Sequence, residues 1–184
     1  MEKLKLCGTG ERRFGKALLV WQEDGSLRVY LDYRGAYGLG ERFDALNQKG
    51  RRVVCEVEEK FCFQGNKSYC PAPFFWTDSG FGLYAGACEP TVFDFREGEI
   101  LAQLPDGCEV TLFSSTPEGI ISEYISLFGP PVLPPGWAFG PWISANRWSS
   151  QADVEAAVAE SEARGFPVSV LVLEAWSDEA TFYI

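Results

Sequence analysis

The sequence predicts a mostly β protein, in which an antiparallel β-sandwich precedes a single β-α-β unit. Three observations carry this prediction. Short apolar stretches separated by turn residues fill the chain to about residue 113, as in sandwich folds. A proline-rich connector follows at 130–135, and after it strand, helix and strand patterns alternate. The hydrophobic share of 46% over 184 residues is sufficient for a packed core.

The sandwich prediction begins with a hairpin. Lys16–Gln22 is an apolar run, residues 23–26 form a turn around glycine, and Leu27–Tyr33 alternates between apolar and polar residues. Similar short strands separated by turns recur along the chain. They are predicted at Arg52–Val57, Pro73–Thr77, Gly82–Ala87, Thr91–Phe95, Glu99–Leu104 and Glu109–Phe113.

A helix is predicted at about 117–128, before the connector. Thr116 is suited to cap it, Pro117 fits its first position, and Gly129 ends it. The apolar residues recur at helical spacing. They are Ile120, Ile121, Tyr124, Ile125 and Phe128. We therefore expect an N-terminal β-sandwich domain with its linking helix over 1–134 and a second domain over 135–184.

The second domain is predicted as strand, helix and strand. Trp137–Ser144 is expected to be a buried strand, and Ser149 or Ser150 caps the helix, which ends near Gly165. Four residues are predicted to share one face of this helix. They are Val154, Ala157, Val158 and Ser161. The apolar run Val168–Leu173 is typical of a strand buried on both faces of a parallel sheet. Because one β-α-β unit cannot bury its own apolar faces, we expect more of the α/β domain to follow, and self-association of the isolated chain through the exposed faces.

Charge and composition exclude several classes of function. The net charge of −10 argues against nucleic acid and against an anionic membrane, both of which attract clustered Lys and Arg. The chain has no histidine, which excludes Ser-His-Asp and Cys-His catalysis, and we expect no metal or cofactor. The aromatic share of 15% suits a neutral ligand with apolar faces, such as a sugar, or else an aromatic-rich β core. No secretion signal opens the sequence, so the six cysteines are predicted to be free, buried thiols in a cytoplasmic protein.

Two motifs favour structural interpretations. Gly38–Phe43 resembles a glycine-rich phosphate loop, but its third glycine is replaced by Phe43 and it contains an acidic residue, so we expect no nucleotide site. Cys55, Cys62 and Cys70 are too widely spaced for a metal knuckle, and we expect them to fill the core.

Two acidic stretches are candidates for function. Glu56, Glu58 and Glu59 follow a predicted strand, where they form either a solvated edge or acceptors for a sugar hydroxyl. Glu174 and Trp176 come directly after the run that ends at Leu173, where a parallel barrel builds its active site. The alternative there is a polar loop with an incidental aromatic residue. Asp178 and Glu179 lie too near Glu174 in sequence to face it across a substrate, so no acid and nucleophile pair is assigned.

Taken in order, several of these stretches resemble glycoside hydrolase family 31, the family of α-glucosidases and α-xylosidases. The matching stretches are Tyr37–Phe43 with Asn47–Gly50, Tyr69 with Pro73–Phe75 and Gly80–Gly82, Thr116–Gly129, and Leu133–Trp142. The resemblance implies that 135–184 is the first β-α-β unit of a truncated (β/α)8 barrel. It also implies a retaining mechanism whose aspartate nucleophile and acid/base lie on later barrel strands, so we expect no catalytic residue in this chain.

The resemblance also implies residues that bind an oligosaccharide or small α-glycoside substrate. Glu174 stands where the family has an aspartate that holds a hydroxyl of the terminal sugar, and Trp176 would form an apolar wall. Asn146 or Arg147 would be a substrate neighbour after the first barrel strand. An acidic loop of the N-terminal domain, at Glu58 or Glu59, would reach the pocket.

Two functions remain open at this point. The chain is either the N-terminal portion of a retaining α-glycosidase or a non-catalytic, carbohydrate-binding or structural β-sandwich with an appendage. The run Val168–Leu173 separates the two, because an appendage has no need of a strand that is apolar on both faces.

Overall fold

A computed structural model describes residues 1–58, 65–144 and 150–173. The chain divides into two compact units, Met1–Pro130 and Pro131–Ile184. The described part of the first unit is built from strands and one helix. These are β1 (Glu2–Lys5), β2 (Gly10–Phe14), β3 (Ala17–Trp21), β4 (Ser26–Tyr30), β5 (Ala36–Gly40), β6 (Arg52–Cys55), β7 (Pro71–Thr77), β8 (Phe81–Ala85), β9 (Thr91–Arg96), β10 (Glu99–Gln103), β11 (Glu109–Ser114) and α1 (Pro117–Phe128).

The strands of the first unit form two antiparallel sheets, which confirms the predicted β-sandwich class. One sheet has the order β1-β11-β8-β7-β5 and the other the order β2-β3-β4-β10-β9-β6. The predicted first hairpin is present as β3 and β4, which pair antiparallel from Leu18 opposite Tyr30 to Trp21 opposite Leu27. Its turn needs Gly25, which has a φ of 76°.

The core lies between the sheets and is rich in phenylalanine. Phe75 on β7 is fully buried, and its ring meets Phe93 and Phe95 of β9 edge to face, at centroid distances of 5.3 and 5.2 Å. These side chains belong to opposite sheets, so their contact joins the two layers. Alternate residues of β7 face the other way, where Phe74 packs under α1.

Helix α1 covers the outer face of the first sheet and spans the predicted residues. The Thr116 hydroxyl accepts a hydrogen bond from the Gly119 backbone N–H at 3.2 Å, which caps the helix. Ile120 is fully buried and Tyr124 stacks on Phe74 with a centroid distance of 3.8 Å. The helix approaches closely because β8 has glycine at position 82, where a Cβ atom would lie 2.8 Å from the Ile120 side chain.

The second unit contains the predicted β-α-β order. Its elements are a 3-10 turn at Gly136–Phe139, β12 (Trp142–Ser144), α2 (Gln151–Ala163) and β13 (Val170–Val172). Strands β12 and β13 pair in parallel, so α2 is a crossover connection. The prediction of one strand over Trp137–Ser144 is wrong in its first half. There the backbone N–H groups of Ala138 and Gly140 bond to carbonyl groups three residues earlier, which makes a turn.

Local signals at both ends of α2 match the prediction. Ser150 is the cap, and its hydroxyl accepts from the Asp153 N–H at 3.2 Å. At the other end the N–H groups of Gly165 and Phe166 donate to the Glu162 and Ser161 carbonyls, a Schellman motif that needs the left-handed φ of 67° at Gly165. The predicted shared face is also confirmed, because its members are the partly buried residues of the helix. They are Val154, Ala157, Val158 and Ser161.

Strand β13 differs from the prediction in length and burial. It spans Val170–Val172 rather than Val168–Leu173, its side chains are only partly buried, and Leu173 is 58% exposed. The reason is that among the described residues only β12 pairs with it. The prediction of a strand buried on both faces is therefore not met by the described part of the chain.

The cysteines in the described part of the chain are free, as predicted, but not all are buried. Cys55 and Cys108 lie in the core, whereas Cys7, Cys70 and Cys88 are exposed. The prediction that Cys70 fills the core is wrong, since it precedes β7 in a connecting segment instead of lying on a strand. Cys62 lies outside the described residues.

Candidate functional site

One of the six predicted substrate-binding residues, Glu58, lies within the described part of the chain. It belongs to the connection between β6 and β7, residues 56–70, which we call the acidic segment. The described portions of this segment are 56–58, which leaves β6, and 65–70, which enters β7. The remaining predicted residues lie outside the described ranges. They are Glu59, Asn146, Arg147, Glu174 and Trp176.

The two portions of the acidic segment are hydrogen-bonded to each other. Val57 and Ser68 form an isolated parallel bridge, and the Glu58 N–H donates to the Ser68 carbonyl at 3.2 Å. Ser68 is fully buried, and its hydroxyl accepts from the Cys70 N–H at 3.0 Å. The backbone on both sides of Glu58 is thus fixed to the start of β7.

The Glu58 side chain is paired and partly accessible. Its carboxylate forms an ion pair with Lys67, and 27% of the side chain is exposed. The hydrogen bond to Glu58 is the largest cause that raises the pKa of Lys67, so the Lys67 ammonium is charged at neutral pH. A carboxylate accepts hydrogen bonds, and the exposed part of the Glu58 side chain can be reached by a ligand from solvent.

Arg42, which the sequence did not single out, lies at the base of the acidic segment. Its Nε donates to the Leu39 carbonyl at 2.9 Å and its Nη1 to the Asn66 carbonyl at 2.9 Å. Its Nη2 lies 3.4 Å from the Cys55 Sγ. Burial is the main cause that raises the pKa of the Cys55 thiol, so this sulfur is a neutral acceptor.

The glycine-rich stretch before Arg42 is a structural bulge. Gly38, Leu39 and Gly40 all have positive φ angles, and the register between β5 and β7 shifts between the two glycines. A Cβ atom at Gly40 would lie 2.0 Å from the Cys70 carbonyl oxygen. The glycines therefore allow the backbone of β7 to approach, and the space is already filled by protein.

At the other end of β7, two cavities of about 420 and 470 Å³ share Asp78 and Ser79 in their walls. The Asp78 carboxylate accepts from the N–H groups of Arg34 and Gly35, at 2.9 and 3.1 Å, and from the Arg34 guanidinium at 3.1 Å. Burial tends to raise the pKa of Asp78, but these hydrogen bonds outweigh it and hold the pKa below its usual value. This carboxylate fixes the turn before β5 and is not a candidate for catalysis.

In the second unit, the ends of the two described strands lie side by side, as an active site at the end of a barrel would require. Ser144 pairs with Val172, so β12 and β13 end at the same edge of their sheet. Asn146 and Arg147 follow the end of β12 in sequence, and Glu174 and Trp176 follow the end of β13.

Among the described residues, no helix has both the length and the apolar composition to span a membrane. Within the same ranges, no cluster of three or more His, Cys, Asp or Glu side chains is arranged to hold a metal ion.

Comparison with known proteins identifies relatives for most of the chain. The model of the glycosyl hydrolase 31 N-terminal galactose mutarotase-like domain matches residues 23–94. An isomaltosyltransferase of Sporosarcina globispora is 31% identical over 160 residues, which cover 80% of this chain and 14% of that protein. A 1,3-alpha-isomaltosidase of Kribbella flavida is 31% identical over 186 residues, which cover 94% of this chain and 26% of that protein.

Solved structures give the same result. The cycloalternan-degrading enzyme from Trueperella pyogenes, in complex with cycloalternan, superposes with a TM-score of 0.71 and 29% sequence identity. The match covers 89% of this chain and 25% of that enzyme. This chain therefore spans about a quarter or less of the length of these relatives.

Proposed function

Because this chain belongs to the glycosyl hydrolase 31 family, whose N-terminal galactose mutarotase-like domain it contains, we propose that its protein is a retaining α-glycosidase or transglycosidase. The proposed substrates are terminal α-glucosides or related α-glycosides. The observation that carries the proposal is the similarity to the Kribbella isomaltosidase, which runs through both units of this chain.

The proposed substrate class is narrower than the family as a whole. Two of the relatives at 31% identity are named for an isomaltosyl unit, whereas the related alpha-xylosidases are 26% identical. The related Trueperella enzyme was solved with isomaltose as well as with cycloalternan. We therefore propose an oligosaccharide that contains an isomaltosyl unit as the substrate, in preference to an α-xyloside.

The second unit is proposed to be the first β-α-β unit of a (β/α)8 barrel. Its parallel strands, its crossover helix and the incomplete burial of β13 all support this. In this arrangement Glu174 would accept a sugar hydroxyl, Trp176 would pack on a C–H face of the sugar, and Asn146 or Arg147 would be neighbours of the substrate. The nucleophile and the acid/base would lie on later strands of the barrel.

In the first unit, Glu58 or Glu59 is proposed to bind the same class of substrate. The partial exposure of the Glu58 side chain supports this role. We also propose a cytoplasmic location, because the cysteines in the described ranges are free and a reducing compartment keeps thiols in that state.

The test is a fusion protein in which this chain replaces the matching part of the Kribbella isomaltosidase. We expect the fusion to release isomaltose from a suitable oligosaccharide, and we expect the isolated chain to release nothing from aryl α-glucosides or aryl α-xylosides. Within the fusion, Glu174→Gln should lower kcat/KM roughly 10- to 100-fold, the value of one hydrogen bond to a charged group. Glu179→Gln, a few residues further on, is the matched control and should have little effect.

Two outcomes would contradict the proposal. Turnover by the isolated chain that disappears with Glu174→Gln would place the catalytic carboxylates in this chain. A folded but inactive fusion, together with binding of isomaltose by the isolated chain, would instead favour a non-catalytic carbohydrate-binding module.

A further inference from the structure

Three segments of the first unit meet at the guanidinium group of Arg42. The Leu39 carbonyl belongs to the end of β5, the Cys55 thiol to the end of β6, and the Asn66 carbonyl to the returning portion of the acidic segment. Strands β5 and β6 are edge strands of opposite sheets. Arg42 therefore ties the acidic segment to both layers of the sandwich at once.

The chemistry of these contacts suits arginine and not lysine. Each of the three acceptors is neutral, and each is reached by a different nitrogen of one planar group. A lysine ammonium carries the same charge on a single nitrogen and cannot reach three diverging acceptors in this way. Arg42 is half-buried, and its hydrogen bonds to Leu39 and Cys55 are partly shielded from water, whereas the bond to Asn66 is exposed.

A short chain of contacts leads from Arg42 to the candidate ligand residue. Arg42 holds the Asn66 carbonyl, the next residue is Lys67, and Lys67 forms the ion pair with Glu58. The Glu58 N–H is bonded in turn to the Ser68 carbonyl at 3.2 Å. The side chain and the backbone of Glu58 therefore contact Lys67 and Ser68, the two residues that directly follow the Asn66 held by Arg42.

We propose that Arg42 is a positioning residue that holds Glu58 in the orientation required to bind the sugar. This inference rests on the proposed function, in which Glu58 contacts the substrate. Arg42 itself touches no substrate in this scheme. Its loss would change the affinity for the substrate and leave the chemical step, which depends on residues outside this chain, nearly unchanged.

The first experiment uses the chain itself and needs no activity. Arg42→Lys should accelerate hydrogen exchange of the Glu58 amide and thiol modification at Cys55, while exchange at Leu83 in the core strand β8 stays as in the wild type. Arg51→Lys is the matched control, because Arg51 pairs with Asp44 at 3.1 Å and precedes β6, whose opposite end leads into the acidic segment. It should leave the Glu58 amide unchanged. If Arg42→Lys does not fold, Arg42→Gln, which keeps one donor group, replaces it.

The second experiment uses the active fusion protein. We expect Arg42→Lys to raise KM for the isomaltosyl substrate roughly 10- to 100-fold with kcat nearly constant, since a displacement of about 1 Å can have an effect of this size. An active wild-type fusion whose KM is unaffected by Arg42→Lys would overturn this inference alone. An inactive wild-type fusion would count against the proposed function. Unchanged exchange at Glu58 in the variant would refute the role of Arg42 in either case.

Discussion

Replacement of Gly40 by alanine tests the close contact between β5 and the strand that follows the acidic segment. Gly40 and Gly50 have nearly the same positive φ angle, 77° and 78°. A Cβ atom at Gly50 would meet nothing within 4 Å, whereas one at Gly40 would lie 2.0 Å from the Cys70 carbonyl oxygen and 2.7 Å from the Ala72 nitrogen. The two substitutions therefore differ in sterics and share the cost of placing a side chain at positive φ.

The shared cost is that of alanine in the left-handed region, about 1–2 kcal/mol. Gly50→Ala should lower the free energy of unfolding by this amount only. Gly40→Ala must in addition push two backbone segments apart, which costs about 1–3 kcal/mol more. It should also weaken the 3.0 Å hydrogen bond from the Glu41 N–H to the Cys70 carbonyl.

The assay is urea unfolding of both variants and the wild type, followed by far-UV circular dichroism. We expect Gly40→Ala to have the lower midpoint with a similar dependence on urea, which indicates a change in stability and not in the unfolded state. Equal midpoints for the two variants would show that β5 and β7 do not approach as closely as described, and the reasoning would be refuted.

Three further predictions concern local chemistry. Cys70, which is exposed, should react with a thiol reagent in the folded protein, whereas Cys55 should react only on unfolding, because burial excludes the reagent and raises the pKa of its thiol. Asp78 has a lowered pKa in the folded state, so the stability that it contributes is present above about pH 4 and is lost as the pH falls further. The difference in unfolding free energy between the wild type and Asp78→Asn should therefore shrink as the pH is lowered below about 4. Thr116→Ala removes the cap that bonds to Gly119 and should destabilise the first unit by about 1 kcal/mol in thermal unfolding, whereas Thr116→Ser should not.

Helix ends were predicted well from the sequence. Thr116 and Ser150 cap the two helices, and glycine follows the end of each. These signals act within a few residues of the chain, so they do not depend on the rest of the fold. For the same reason the first hairpin could be located from its turn.

Several strands could not be predicted from local pattern. Strands β1 and β2 contain many charged residues and give no apolar signal, yet β1 pairs with β11 and β2 with β3. Both are edge strands, which need only one partner and tolerate charged side chains. Strand β5 was obscured by its glycines, which look like a loop in sequence and serve as a bulge in the fold.

For the candidate site, the sequence identified the acidic residues and missed the residues that hold them. Glu58 was selected because it follows a strand in an acidic run. Arg42 and Lys67 were not, because their relation to Glu58 is set by contacts between segments, and Arg42 lies 24 residues from Asn66. The signal that could have identified one of these residues was a basic residue close in sequence to the candidate carboxylate, as Lys67 is to Glu58.

The order of residues by itself determined the class of the fold, the helix boundaries and the family, since these follow from local spacing and motif. The tertiary structure decided which strands lie at the edges of the sheets, which cysteines are buried and which basic side chain contacts which acceptor. These outcomes depend on distances between segments far apart in the chain, and hydrogen bonds and burial act over only a few ångströms. Arg42 is the clearest case, because its three partners come together only when both sheets are in place.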